Sequence, residues 1–171
     1  GRPTWRGQCR ACPTMADLES IERFLYREAD LLDRPDLDGW LALYTEDAWY
    51  WIPAQEDQPD ALNHVSHVYD DRVMMEIRRR NFVHPRASSK DWSVRCSHII
   101  GNVRLAESEP GEVIRVRSNQ HVVVHYREEQ KLYAFTATHE LIPTGDSYLI
   151  RSKRVDLINP EAPQTSLVIY L

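Results

Sequence analysis

The sequence predicts an α+β domain in which three helices pack on one face of a strongly curved antiparallel sheet. Two observations carry the prediction. Residues 93–158 hold four long alternating segments, at 93–105, 112–126, 131–143 and 147–158, with almost no glycine or proline inside them. Strands of that length joined by tight turns twist and curl instead of lying flat. The helical patterns gather ahead of them, and helices segregated from hairpins argue for α+β over a parallel βαβ sheet. Helices laid against a curled sheet form a cone, and a cone encloses a pocket.

Each element follows from its local pattern. Residues 1–13 mix Pro, Arg and Gly and read as a leader, disordered or loosely attached, ahead of a single domain at 14–171. Thr14 followed by Asp17 resembles a capping box. It opens a helix at 17–33, where Leu18, Ile21, Leu25 and Leu32 recur at helical spacing beside Phe24 and Leu31. Glu19, Glu22, Arg23, Arg27 and Glu28 are expected to face away, and Arg34-Pro35 ends the helix. A second short helix at 36–44 presents Leu37, Trp40, Leu41 and Tyr44. After a turn at Thr45-Glu-Asp47, the aromatic and β-branched run 48–53 reads as a strand. The polar stretch 55–63 is a loop. Tyr69-Asp-Asp-Arg72 begins a third helix with Val73, Met74 and Ile77 on its apolar side, and 81–92 is a second loop. Turns are expected at 109–111, 128–130 and 145–146, and 166–171 reads as a last strand.

Composition narrows the classes of function. A chain of 171 residues suits one domain. Its net charge of -5, with both signs interspersed, leaves no electrostatic footprint for nucleic acid. Arg78-Arg79-Arg80 reads as a basic helix end matched to the dipole. No apolar run reaches the ~18 residues of a membrane span, and no signal-peptide pattern opens the chain. Three cysteines do not pair into a disulfide framework, and Cys9-Arg-Ala-Cys12 lacks a second pair. A cytoplasmic protein without nucleic-acid or membrane partners is expected.

Candidate chemistry is sparse. His64 and His67 have a chelating spacing but lack a third ligand, and His121 and His125 stand about 13 Å apart along one strand. Cys96-Ser-His98 is the first half of a mixed-ligand iron–sulfur site, but no cysteine follows to complete it. A cone pocket could instead house acid/base work by Asp71, His98 and Tyr50, with Asp70 and Tyr69 as further candidates. The plainer reading makes Asp70 or Asp71 a helix cap and His98 a hydrogen-bonded structural residue. Likewise Trp40, Tyr44, Trp49, Tyr50 and Trp51 read as core before they read as a ligand cage. Along the second long strand Ile114, Val116, Val122, Val124 and Tyr126 share a phase. Arg115, Arg117, Asn119, His121 and His125 share the other, which should meet solvent or another chain.

In order, Ile21-Glu-Arg-Phe-Leu-Tyr-Arg-Glu-Ala, Trp40-Leu-Ala-Leu-Tyr44, Tyr50-Trp-Ile-Pro53, Tyr69-Asp-Asp-Arg72, Arg95-Cys-Ser-His98, Asn102-Val103 and Arg151-Ser-Lys-Arg-Val-Asp-Leu-Ile-Asn159 resemble the small (β) subunits of aromatic-ring-hydroxylating dioxygenases. The resemblance runs from about residue 17 to the end. It implies a cone-shaped domain like nuclear transport factor 2 (cystatin-like), without a metal or cofactor of its own. It also implies a large (α) subunit carrying a Rieske 2Fe-2S cluster and a mononuclear Fe(II), assembled as α3β3 around a β trimer. The complex would convert an arene with O2 to a cis-dihydrodiol, using NADH-derived electrons from a separate reductase. Phe-Leu-Tyr-Arg-Glu-Ala and Trp-Ile-Pro match the wording of the benzoate-type branch, which points to an aromatic carboxylate. On this reading the chain is mainly structural, with no catalytic residue. Trp92, Arg115, Arg117, Asn119 and His121 are its candidate subunit contacts. The alternative is a stand-alone isomerase, dehydratase or hydrolase using Asp71, His98 and Tyr50.

Overall fold

The structure is a computed structural model that describes residues 15–83, 94–106, 113–162 and 170–171. Helix α1 spans Met15–Asp33 and buries Ile21, Phe24, Leu25, Ala29 and Leu32, the stripe its sequence spacing requires. Asp36 then caps α2, Leu37–Leu41, by accepting the Gly39 N–H at 2.9 Å. Strands β1 (Tyr44–Pro53) and β2 (Ser66–Asp71) lead into α3, Arg72–Val83. Four longer strands follow: β3 (Arg95–Leu105), β4 (Ile114–Tyr126), β5 (Glu129–Thr144) and β6 (Ser147–Leu157). Thr14, Cys9, Cys12, Trp92, the turn at 109–111 and most of the last expected strand lie outside the described residues. Tyr170 and Leu171 are described, are not in a strand, and sit in the core.

One unclosed sheet runs in the order β2-β1-β6-β5-β4-β3. Every neighbouring pair is antiparallel except β1 with β6, which is parallel, so the sheet is mixed where alternation alone suggested a uniform one. Helix α1 lies against β3 and β6, and α3 against β1 and β2. Inner-face residues fill the space between: Tyr50 and Ile52 from β1, Val116 and Val122 from β4, Phe135 and Leu141 from β5, and Ile150 and Val155 from β6.

Three local differences from the sequence reading have physical causes. Tyr69, Asp70 and Asp71 belong to β2, and the helix begins only at Arg72; pairing of Tyr50 with Asp70 and Trp51 with Tyr69 draws them into the sheet. Val73, Met74 and Ile77 face outward, 63%, 41% and 40% exposed, while Met75 is fully buried. Arg72 sets that roll: its Nη1 donates to the carbonyls of Leu41 (3.1 Å) and Tyr44 (2.8 Å), anchoring the first turn of α3 with its apolar stripe turned away. The β4–β5 turn falls at Arg127-Glu128, one residue earlier than expected. Both adopt positive φ (51° and 61°) without the Gly or Asn that usually announces a two-residue hairpin.

Candidate functional site

The polar content of the cone converges on Glu28. This carboxylate, 1% exposed, accepts from Lys153 Nζ at 2.9 Å through Oε1 and from His139 Nε2 at 2.9 Å through Oε2. Trp40 Nε1 and Tyr44 Oη complete its shell, each at 3.3 Å. Burial acts to raise the Glu28 pKa, yet Lys153 and His139 together hold it well below the usual carboxylate range. Burial pushes the His139 pKa down against the pull of Glu28. The opposite charge of Lys153 beside the carboxylate is what allows Glu28 inside the core. Each oxygen of Glu28 faces a donor, and with those donors drawn from α2, β1, β5 and β6 the carboxylate of α1 ties five elements together.

Sequence reasoning missed this cluster, although part of the signal was present. Glu28 lies three residues after Leu25 and four before Leu32, on the buried stripe of α1 and not on its outer face as expected. His139 keeps the phase of Phe135, Ala137 and Leu141. Lys153 was hidden by a β-bulge. Glu140 pairs with Ser152 but Leu141 pairs with Ile150, so Arg151 is the extra residue and the phase of β6 reverses across it.

The acid/base candidates do not form a common constellation. Asp71 is exposed and its Oδ1 accepts the Met74 N–H at 2.8 Å, capping α3. Tyr50 is fully buried and its hydroxyl exchanges hydrogen bonds of 3.0 Å with the backbone O and N–H of Leu171. His98 on β3 is bound to Asp33, Nδ1 to Oδ1 at 2.6 Å, and its backbone N–H donates to Oδ2 at 3.1 Å. Asp70 is buried against Tyr170, whose hydroxyl donates at 2.8 Å, and against Arg78, with Nε 2.5 Å from the carboxylate. Tyr69 is exposed, edge-on to Trp49.

The aromatic run divides across the sheet, as strand alternation requires. Trp40, Tyr44 and Tyr50 join Tyr170 in the core, with Trp40 stacked on Tyr170 at 4.4 Å. Trp49 and Trp51 lie on the opposite, outer face, where the Arg154 guanidinium sits 4.4 Å over the Trp51 ring. That outer face carries a groove of about 810 Å³ walled by β1, β4, β5, β6 and the loop after Pro53. In it Arg115 pairs with Glu140 at 2.9 Å and Arg154 with Asp156 at 2.8 Å, whereas Arg117 has no ion-pair partner among the described residues. Asn119 bridges Asn102 and Thr136 on the same face, and His121 is exposed beside them. Ile99 and Leu132, 69% and 66% exposed, extend the face across the sheet.

Among the described residues no group of three or more His, Cys, Asp and Glu side chains is placed to hold a metal ion. His67 instead meets the Pro160 carbonyl at 2.6 Å and His64 lies 3.9 Å from Asp60. Among the same residues no helix is long and apolar enough to cross a membrane.

A cone of this design, six strands curled beneath N-terminal helices, defines a protein of the nuclear-transport-factor-2-like class. The model of the ring hydroxylating beta subunit family matches residues 27–163. The β subunit of toluate 1,2-dioxygenase from Pseudomonas putida is 33% identical over 147 residues, covering 82% of this chain and 90% of that one. The β subunit of benzoate 1,2-dioxygenase from Acinetobacter baylyi is 31% identical over 147 residues, covering 83% and 86%. Among solved structures, the β subunit of benzoate 1,2-dioxygenase from Burkholderia mallei superposes with a TM-score of 0.73 at 31% identity, covering 94% of this chain and 99% of that one. The chain belongs to the ring hydroxylating beta-subunit family. It is therefore the small subunit of a multicomponent dioxygenase, an oxidoreductase whose other component is a large subunit.

Proposed function

We propose that this chain is the structural small subunit of a dioxygenase acting on an aromatic carboxylate, in a cytoplasmic α3β3 assembly built on a β trimer. The large subunit would carry the Rieske 2Fe-2S cluster and the mononuclear Fe(II). There an arene would take up both atoms of O2 to give a cis-dihydrodiol, with electrons from NADH arriving through a separate reductase. The observation that carries the substrate class is the 33% identity, over 90% of its length, to a subunit of an enzyme named for toluate. The structural role is supported by the interior: the Glu28 carboxylate is engaged by four donors of this chain, from Lys153, His139, Trp40 and Tyr44.

The outer sheet face is the trimer contact on this reading. Arg117, a cation without a counter-charge among the described residues in a groove whose other arginines are paired, is the side chain that a neighbouring carboxylate would satisfy. Arg115, Asn119 and His121 border it, and Trp92 is assigned to the same contact set. The test is co-expression with the large subunit followed by native mass measurement and turnover of benzoate. A mixed hexamer that oxidises benzoate supports the reading, and a chain that never associates with a large subunit overturns it. Arg117→Ala and Trp92→Ala should each weaken assembly while leaving the thermal midpoint of the separated subunit unchanged. If assembly is untouched in both, the contact set is wrong.

A further inference from the structure

Two charges at opposite ends of β4 have no use within a single chain. In the outer groove the Arg117 guanidinium meets no carboxylate among the described residues. At the far end of the strand the turn into β5 presents Glu128, exposed and likewise without an ion-pair partner among the described residues. Its neighbour Glu129 differs, lying 3.8 Å from Lys131. Arg117 and Glu128 cannot meet inside one copy, because the run of β4 from Arg117 to Tyr126 holds them about 30 Å apart.

The other acidic turns do not offer the same. Asp47 faces Arg151 at 4.0 Å, Asp60 accepts the amides of Leu62 and Asn63, and Asp146 lies on the β5–β6 turn, at the groove's own end of the sheet. The Glu128 turn is also narrow. Arg127 and Glu128 both hold positive φ, a conformation that Gly or Asn would adopt at less cost, and the Arg127 guanidinium lies 5.0 Å over the Tyr126 ring at its base. Each lone charge has an apolar border. The loop that walls the groove carries Leu62 and Val65, 84% and 82% exposed. On the turn side Leu132 and Ile99 are open on the outer face, paired across the sheet with Val123 and His121.

We propose that the β4–β5 turn of one copy enters the outer groove of the next, with Glu128 seated on Arg117 and the surface of Leu132 and Ile99 closing over Leu62 and Val65. This joint rests on the assembly being a β trimer and names the contact that builds it. A ring of three needs a joint of this kind, because each copy must present two different surfaces, one given and one received. Grooves facing each other across a twofold axis would set one unpartnered Arg117 against another and leave Glu128 unused. In the ring each cation receives one carboxylate. The charge-assisted bond fixes the register, and the apolar borders shield it from water.

The experiment uses the full chain co-expressed with the large subunit, with native mass followed over a dilution series. Glu128→Arg and Arg117→Glu should each move the dissociation midpoint of the assembly about tenfold or more to higher concentration. The chain carrying both reversals should return to within about threefold of the unsubstituted assembly. A threefold assembly that tolerates both single reversals, or a double reversal no better than the worse single one, overturns the joint and leaves the trimer standing. No threefold assembly of the unsubstituted chain overturns the trimer and the joint with it. Cysteine pairs give a second readout that needs no loss of stability. With a short bis-maleimide, a chain carrying both Glu128→Cys and Arg117→Cys should form a product of three linked small subunits that the unsubstituted chain does not form. A mixture of the two single variants should stop at two. Linked pairs from Arg117→Cys alone mean that groove faces groove, and overturn the head-to-tail arrangement.

Discussion

Replacing Lys153 with methionine isolates the contribution of the buried charge cluster. Methionine keeps the length of the side chain in a site only 1% exposed and removes the ammonium 2.9 Å from Glu28. Glu28 is then left 1% exposed with an imidazole, an indole N–H and a hydroxyl as its donors, and without its ammonium partner. Breaking one side of a buried pair typically costs about 3–5 kcal/mol, against a total stability of about 5–15 kcal/mol. For a domain of this size each kcal/mol shifts the midpoint by roughly 2–4 °C, so a fall of roughly 6–20 °C is expected. The double variant Glu28→Gln with Lys153→Met removes the stranded charge and should recover at least half of that loss. Urea and thermal denaturation at pH 7, followed by circular dichroism across the cycle of single and double variants, measures the coupling. Additive losses, or a Lys153→Met cost under about 1 kcal/mol, would refute the view that these charges are coupled in the core.

Further outcomes follow from the same geometry. The His98 and His139 pKa values are lowered in the folded chain, so the unfolded chain binds more protons below the ordinary value of 6.5. Stability should therefore be full above that pH and decline as pH falls through it. A His139→Gln variant should show a shallower decline, by up to about 1.4 kcal/mol per pH unit, and an unchanged slope would contradict the assignment. Tyr170→Phe deletes a hydrogen bond of 2.8 Å to the buried Asp70 and should cost about 1–3 kcal/mol in urea denaturation. Asp71→Ala removes the cap of α3 and should cost about 1 kcal/mol, with protection lost first at the Met74 amide in hydrogen exchange.

The architecture was legible because the long segments, β4 above all, alternate over many residues and α1 repeats its apolar stripe. Ile21, Phe24, Leu25 and Leu32 are buried where helical spacing puts them, and the polar set on β4 lies on the outer face opposite Val116 and Val122. What escaped reading was nonlocal. Strand β2 exists because β1 offers it a free edge; its own residues, Ser66–Asp71, carry only a weak β pattern. The outward roll of α3 depends on carbonyls of Leu41 and Tyr44 some thirty positions earlier in the chain. Lys153 is buried because a bulge reverses the strand phase, and a bulge has no marker when its extra residue is an arginine. The Arg127-Glu128 turn was displaced for a similar reason: its positive φ angles fall on residues that do not advertise them.

The parallel pairing of β1 with β6 bears on how the chain is made. β1 ends at Pro53, and the strand beside it in the finished sheet begins only at Ser147. At ribosomal rates of roughly 5–20 residues per second, that neighbour arrives several seconds later. During this interval β1 can zip to β2 alone, leaving one row of amides and carbonyls unmatched and Tyr50 and Ile52 without their cover. A nascent small subunit is thus exposed to wrong pairing until its last long strand emerges. Its yield in cells should depend on chaperones more than its finished stability suggests.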